Sequence, residues 1–318
     1  MTAAPDVVSE DLSRLSAALD AVIPPRTASN LLVATWNVRA FGDLTQKWLA
    51  VAKDSPMRDW HAVACIAEVV SRFDVVALQE IRRSTQALKF LLERLGPNWR
   101  VIASDVTEGA AGNGERLAFL YRGDRVQPSG LVGEIVLPPV GEYPQRQFAR
   151  TPYVAGFSRA GIEFTLASVH VLWGKNAAER LPEVTAFAQW MRAWADRTND
   201  WNKNLMVLGD FNLDRIGDPL YEAFITTGLW PPTELNNVPR TIFDDDNTQH
   251  FYDQIAWFSE PDGTSLLQDM TYSQKAGSFD FIPHIMTGLT RNEISWRISD
   301  HYPLWSEFRL SSNVAPPA

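Results

Sequence analysis

The chain has 318 residues, 45% of them hydrophobic and 21% charged, with a formal net charge of −9. That composition buries a sizeable core and offers no basic run of the kind that coats or stores nucleic acid, but it does not exclude an enzyme that meets a phosphodiester through a bound metal. A single cysteine, Cys65, excludes an intrachain disulfide. No apolar stretch is long enough to span a bilayer, and no signal peptide is visible near Asp6, Glu10 and Asp11, so a cytoplasmic location is expected.

Residues 1–29 read as a helical appendage, either packed or mobile: Leu12, Leu15, Leu19 and Val22 recur at helical spacing and Pro24-Pro25 stops them. The domain proper is expected over 30–312, with a tail at 313–318. Leu31 to Val38 reads as a buried strand running into Asn37-Val38-Arg39. After an insertion at 43–57, Ser55-Pro56 is expected to open a helix with Val63, Ile66, Ala67 and Val70 on its buried stripe. Asp74 to Glu80 is a second buried strand ending in a carboxylate. Ser84 is expected to cap the next helix, which Gly96 ends.

Trp99–Ala103 and Glu115–Tyr121 read as strands around a glycine-rich loop, and 123–145 as surface loop with short edge strands. Residues 150–157 and 162–169 form an expected antiparallel pair turning near Gly161, the second strand ending at His170. Val184, Phe187, Ala188, Met191 and Trp194 mark an amphipathic helix, with Pro182 placed in its first turn. The run Leu205–Leu208 feeds the turn Gly209-Asp210-Phe211-Asn212. A short helix is expected around Tyr221–Ile225 and loop over 231–250. Tyr252–Phe258 is a strand carrying Asp253, residues 259–293 are weakly patterned, and Leu304–Leu310 is the last strand, after Ser299-Asp300-His301. Strands first alternate with helices and then cluster, which points to an α/β fold of two packed mixed sheets with helices outside.

Asn37, Glu80, His170, Asp210, Asn212, Asp253, Asp300 and His301 each follow or interrupt an apolar run. Any one of them is explained by a polar strand end where a loop begins. Together, on strands lying side by side, they converge at one edge of the sheets.

The ordered motifs Thr35-Trp36-Asn37-Val38-Arg39, Ala77-Leu78-Gln79-Glu80, Ser168-Val169-His170, Gly209-Asp210-Phe211-Asn212, Tyr252-Asp253-Gln254-Ile255 and Ser299-Asp300-His301 resemble those of the endonuclease/exonuclease/phosphatase superfamily, and within it most resemble the deoxyribonuclease I branch. The resemblance implies a four-layer sandwich that cleaves phosphate esters with a divalent cation. Oxygen ligands without clustered cysteines favour Mg²⁺ or Mn²⁺. Glu80 is then the first metal ligand, with Asp300 and Asn37 beside it, and Asp210 and Asn212 bind a second cation or orient water and phosphate. His301 is the expected general base, oriented by Asp253, and the family pattern leaves Asp210 as the other choice. His170, partnered by Glu115, would stand on the opposite side of the phosphate.

Arg39 and Arg82 match arginines that line DNA in that branch, and Arg150 one that contacts phosphate. Asn113 replaces the branch's groove-stacking tyrosine. Trp173 is equally suited to stacking on a ligand and to packing. Three functions compete: a DNA endonuclease, a phosphodiesterase or phosphatase for a lipid headgroup, sugar phosphate or small nucleotide, and a non-catalytic binding module.

Overall fold

The computed structural model describes residues 3–139, 141–142, 146–245, 249–260 and 262–311. The expected tail at 313–318, residues 140 and 143–145 of the expected surface loop, and residues 246–248 of the later loop lie outside the described residues. In chain order, α1 (Asp6–Val22) is followed by β1 (Asn30–Phe41), α2 (Trp60–Val70), β2 (Val75–Arg82), α3 (Gln86–Leu95) and β3 (Trp99–Ala103). The short α4 (Gly109–Gly112) leads to β4 (Glu115–Arg122), β5 (Gln127–Glu134), β6 (Tyr153–Arg159), β7 (Ile162–His170) and α5 (Ala177–Ala195). Then come β8 (Leu205–Leu213), α6 (Pro219–Ile225), β9 (Leu229–Trp230), β10 (Phe251–Phe258), β11 (Met270–Ser278), α7 (Arg291–Ser295) and β12 (Leu304–Leu310).

The strands form two six-stranded sheets, β11-β12-β1-β2-β4-β3 and β5-β6-β7-β8-β10-β9. Both are mixed: β1 runs parallel to β2 and β7 parallel to β8, while β12 and β10 run antiparallel to β1 and β8. Side chains alternate faces along a strand, so each central strand serves two cores. On β1, Leu32, Ala34, Trp36 and Val38 pack outward with α1, α2 and α3, while Leu31 and Val33 face the other sheet. On β8, Met206 and Leu208 face inward, and Leu205, Val207 and Phe211 pack outward with α5 and α6. The result is helix, sheet, sheet, helix, as the motifs implied.

Of the two arrangements open to the N-terminal helix, α1 takes the packed one. Leu15 and Leu19 are fully buried, each contributing roughly 1.5–3 kcal/mol, and Asp11 accepts the Met286 amide at 2.6 Å. Several expected boundaries move. The Ser55–Pro56 bond is cis and opens no helix; α2 begins at Trp60, where Asp59 accepts the Ala62 amide. Thr85, not Ser84, precedes α3. Asn176 caps α5 by accepting the Glu179 amide, and this early start puts Pro182 beyond the first turn. The weakly patterned stretch contains β11, an edge strand with only Met270 and Gly277 buried. Among the described residues no helix is long and apolar enough to cross a membrane.

Candidate active site

The layer between the sheets changes character along its length. Inward positions are apolar through the middle and polar at one end: Leu31 and Val33 give way to Thr35 and Asn37 on β1, and Val75 and Ala77 to Gln79 on β2. Phe119 and Leu117 lead to Glu115 on β4, Leu166 to Ser168 and His170 on β7, Leu208 to Asp210 on β8, and Ile255 to Asp253 on β10. Gln79 bridges the sheets, its amide nitrogen donating to Thr35 Oγ1 and Ser168 Oγ, both at 3.1 Å. The site is therefore the inter-sheet core continued in polar residues.

Two irregularities re-aim side chains. A register shift in β2 leaves Glu80 at φ 60°, and one in β8 leaves Asn212 at φ 50°. Gly209 has φ 134°, and a Cβ there would stand 2.2 Å from the Val169 carbonyl oxygen. Only glycine allows β8 to approach β7 this closely and set Asp210 beside His170.

Asp210 is the hub. Its Oδ2 accepts from Asn37 Nδ2 at 2.9 Å and lies 3.6 Å from His170 Nε2 and 3.9 Å from His301 Nε2. Its Oδ1 accepts the Asn212 amide at 3.0 Å, and Asn212 Nδ2 donates to the Val171 carbonyl at 2.7 Å. Burial would raise the Asp210 pKa, but His301, His170, Asn37 and Asn212 outweigh it and hold the carboxyl below its usual range.

His301 Nδ1 lies 2.6 Å from Asp253 Oδ2. Burial disfavours its charged form, yet Asp253, Asp210 and Asp300 overcome that and raise the imidazole well above the ordinary histidine value. Asp253 is pushed up to about 6, by burial first, against the pull of His301.

Glu115 is saturated by donors. Its Oε2 faces Arg150 Nε at 2.6 Å and His170 Nδ1 at 3.0 Å; its Oε1 faces Asn113 Nδ2 at 2.7 Å and Arg82 Nη2 at 3.2 Å. The His170 contact is an ion-pair distance rather than a well-aligned hydrogen bond. Burial works against ionisation, but His170, Arg150 and Arg82 hold the carboxyl down at about 2.

Among the described residues, Glu80, Glu115 and His170 bring ligand atoms within 4.8 Å of one another. With Glu115 and His170 engaged as above, Glu80 is the carboxylate of the three left to face a cation; its Oε2 also accepts the Ala40 amide at 2.8 Å. Asn37 Oδ1 is buried without a hydrogen-bond partner. An orphaned amide oxygen on the strand beside Glu80 suits a hard cation, so these residues fit the divalent metal that the motifs imply. Asp300 pairs with Arg39 at 3.3 Å.

The three arginines expected to contact substrate are engaged with groups of the site. Arg39 Nη1 donates to Ser295 Oγ at 2.8 Å, and its guanidinium lies 3.8 Å from the Trp296 ring centre. Arg82 pairs with Glu80 and Glu115 and donates to the Asn113 carbonyl at 2.7 Å. Arg150 is buried against Glu115, Asn113 sits in the left-handed region at φ 56°, and Trp173 is exposed, edge-on to Tyr252.

Sequence reasoning missed the braces behind these groups. Buried Arg58 donates to four carbonyls: Arg297 at 2.8 Å, Ala40 at 2.9 Å, Arg39 at 2.6 Å and Ile298 at 3.1 Å. It bolts the end of β1 to the loop that carries Asp300. Ser299 Oγ donates to the Asn37 carbonyl at 2.6 Å and accepts the His301 amide at 3.0 Å. Arg240 is buried behind Asp253, 3.4 Å from its carbonyl. Nothing in the sequence around Arg58 or Arg240 marks either as a brace.

The model of the Endonuclease/Exonuclease/phosphatase family matches residues 34–301. The chain belongs to this family. It is an enzyme of the class that hydrolyses phosphate esters with a divalent cation. A deoxyribonuclease from Thioalkalivibrio sp. (strain K90mix) is 28% identical over 305 residues, covering 90% of this chain and 73% of that protein. Deoxyribonuclease-1 of Oryctolagus cuniculus is 25% identical over 303 residues, covering 91% of this chain and 96% of that protein. Among solved structures, a member of the endonuclease/exonuclease/phosphatase family from Bacteroides thetaiotaomicron superposes with a TM-score of 0.61 at 19% identity, over 90% of this chain and 99% of the other.

Proposed function

We propose that this chain is a nuclease that hydrolyses DNA phosphodiester bonds by in-line attack of water, with Mg²⁺ or Mn²⁺ as its cation. The observation that carries the reading is the pair of histidines whose Nε2 atoms face Asp210 Oδ2 at 3.6 and 3.9 Å, each backed at Nδ1 by its own carboxylate. A phosphoryl group between them meets a base on one side and a donor on the other.

Asp253 fixes the tautomer of His301, leaving Nε2 to take the proton of the attacking water. The geometry supports this choice: Asp253 occupies His301 Nδ1 at 2.6 Å, while both oxygens of Asp210 already accept hydrogen bonds, from Asn37 and Asn212. His170, held by Glu115, presents Nε2 to the phosphate or to the leaving oxygen. Asp210 and Asn212 orient water and phosphate. Glu80, Asn37 and Asp300 would hold the cation, which when bound neutralises phosphate charge and polarises the phosphoryl oxygen.

A second reading, a phosphodiesterase or phosphatase for a small ester, is favoured by Arg39 and Arg82 being tied to carboxylates of the site rather than extended toward a polymer. The test is hydrolysis of supercoiled plasmid and of single-stranded DNA beside a panel of sugar phosphates and lipid headgroup esters, with Mg²⁺, Mn²⁺ or EDTA. Metal-dependent DNA cleavage is expected. Turnover of a small ester with both DNA forms intact would replace the first reading by the second.

A further inference from the structure

Two exposed tryptophans adjoin the site, one reached from each sheet. Trp173 is 56% exposed and Trp296 is 49% exposed. Trp173 follows β7 of one sheet and meets Tyr252 edge-on at 5.4 Å, and the Tyr252 ring lies 5.8 Å from that of His301. Trp296 ends α7, and its partner Arg39 pairs with Asp300, the neighbour of His301.

Each indole is backed by an anchored arginine. Arg180 lies 5.3 Å from the Trp173 ring centre and is held by both oxygens of Asp214, at 3.0 and 2.8 Å. Arg39 lies 3.8 Å from the Trp296 ring centre and is held by Asp300 and Ser295. Cation–π contact fixes the rings while leaving aromatic surface open to solvent, so little ordering entropy remains to be lost when a flat ligand stacks on them.

Groups suited to reading a duplex are engaged elsewhere. Asn113 donates to Glu115, and Arg82 is spent on Glu80, Glu115 and the Asn113 carbonyl. Inside a duplex both faces of a base are covered by its neighbours, whereas an unpaired base can turn a face to an open indole, and such stacking is sequence-tolerant. We propose that Trp173 and Trp296 are stacking platforms for unpaired bases on either side of the scissile phosphate, and that the preferred substrate is single-stranded DNA. This rests on the nuclease reading of the site.

The test compares a single-stranded oligonucleotide, its duplex and bis(p-nitrophenyl) phosphate, each with Mn²⁺. The single strand is expected to be cut with a kcat/KM at least about tenfold above the duplex. Trp173→Ala and Trp296→Ala should each lower the ratio of kcat/KM on the single strand to that on the small ester about tenfold, mainly through KM. Phe variants should restore most of it, and Trp201→Ala, at another exposed tryptophan, should not change it. Fluorescence anisotropy in EDTA should show weaker oligonucleotide binding by the Ala variants. DNA cleavage that favours the duplex, or ratios unchanged in both Ala variants, would overturn the proposal alone. Turnover of the small ester with neither DNA form cut would overturn the nuclease reading and the proposal with it.

Discussion

Asn37 Nδ2 donates to Asp210 Oδ2 at 2.9 Å, joining the two sheets at the point that His170 and His301 both face. The same amide keeps its Oδ1 buried and unpartnered. Asn37→Ala removes both functions. Mn²⁺ affinity, measured by isothermal titration calorimetry, should fall about 10- to 100-fold. Urea unfolding should show a loss of roughly 1–3 kcal/mol, because Asp210 loses a buried donor.

The raised His301 pKa fixes a sign. A base whose pKa is raised is free only at higher pH. NMR titration of the metal-free protein should place the His301 imidazole above 6.5. Asp253→Asn removes the partner charge, so His301 should titrate lower, and kcat should fall by about 10²-fold or more because the tautomer is no longer held. A raised folded-state pKa contributes stability that is complete below the unfolded value and is lost as pH rises through the folded one.

Glu115 has the opposite sign. Its pKa falls from 4.5 to about 2 in the folded protein. The stabilisation is complete above 4.5 and is lost as pH falls toward 2, on the order of 3 kcal/mol in total. Glu115→Gln should lower stability at pH 7, where it leaves Arg150 without its carboxylate, and should flatten the fall in urea midpoint between about pH 5 and pH 3.

Gly209→Ala tests the close approach of β7 and β8. The new Cβ would meet the Val169 carbonyl at 2.2 Å, on backbone that cannot swing away. A loss of about 2–4 kcal/mol is expected in urea unfolding, from overpacking and from positive φ.

The polar strand ends were legible because apolar runs stop at Asn37, His170 and Asp210, and alternation sends those residues to the inward face. The layers were legible because strands first alternate with helices and then cluster. β11 was not, because its inward set of Met270, Tyr272 and Ala276 is interrupted by a register shift between Tyr272 and Ala276, so no unbroken alternation marks it. Helix starts moved where a cap was chosen by tertiary context: Asp59 holds Ala50 as well as Ala62. Arg58 and Arg240 carry no mark in the sequence, since the carbonyls that hold Arg58 come from segments as far away as Arg297 and Ile298. Periodicity also says nothing about Trp296, whose place beside the site follows from Arg39 across the fold.

The most direct measurement is cleavage of single-stranded and supercoiled DNA by the wild-type protein and His301→Ala, each with Mg²⁺, Mn²⁺ and EDTA, with circular dichroism confirming that the variant is folded. Cleavage that needs the metal and falls at least about 10²-fold in the folded variant is expected. Undiminished metal-dependent cleavage by His301→Ala would contradict the assignment of His301 as the base.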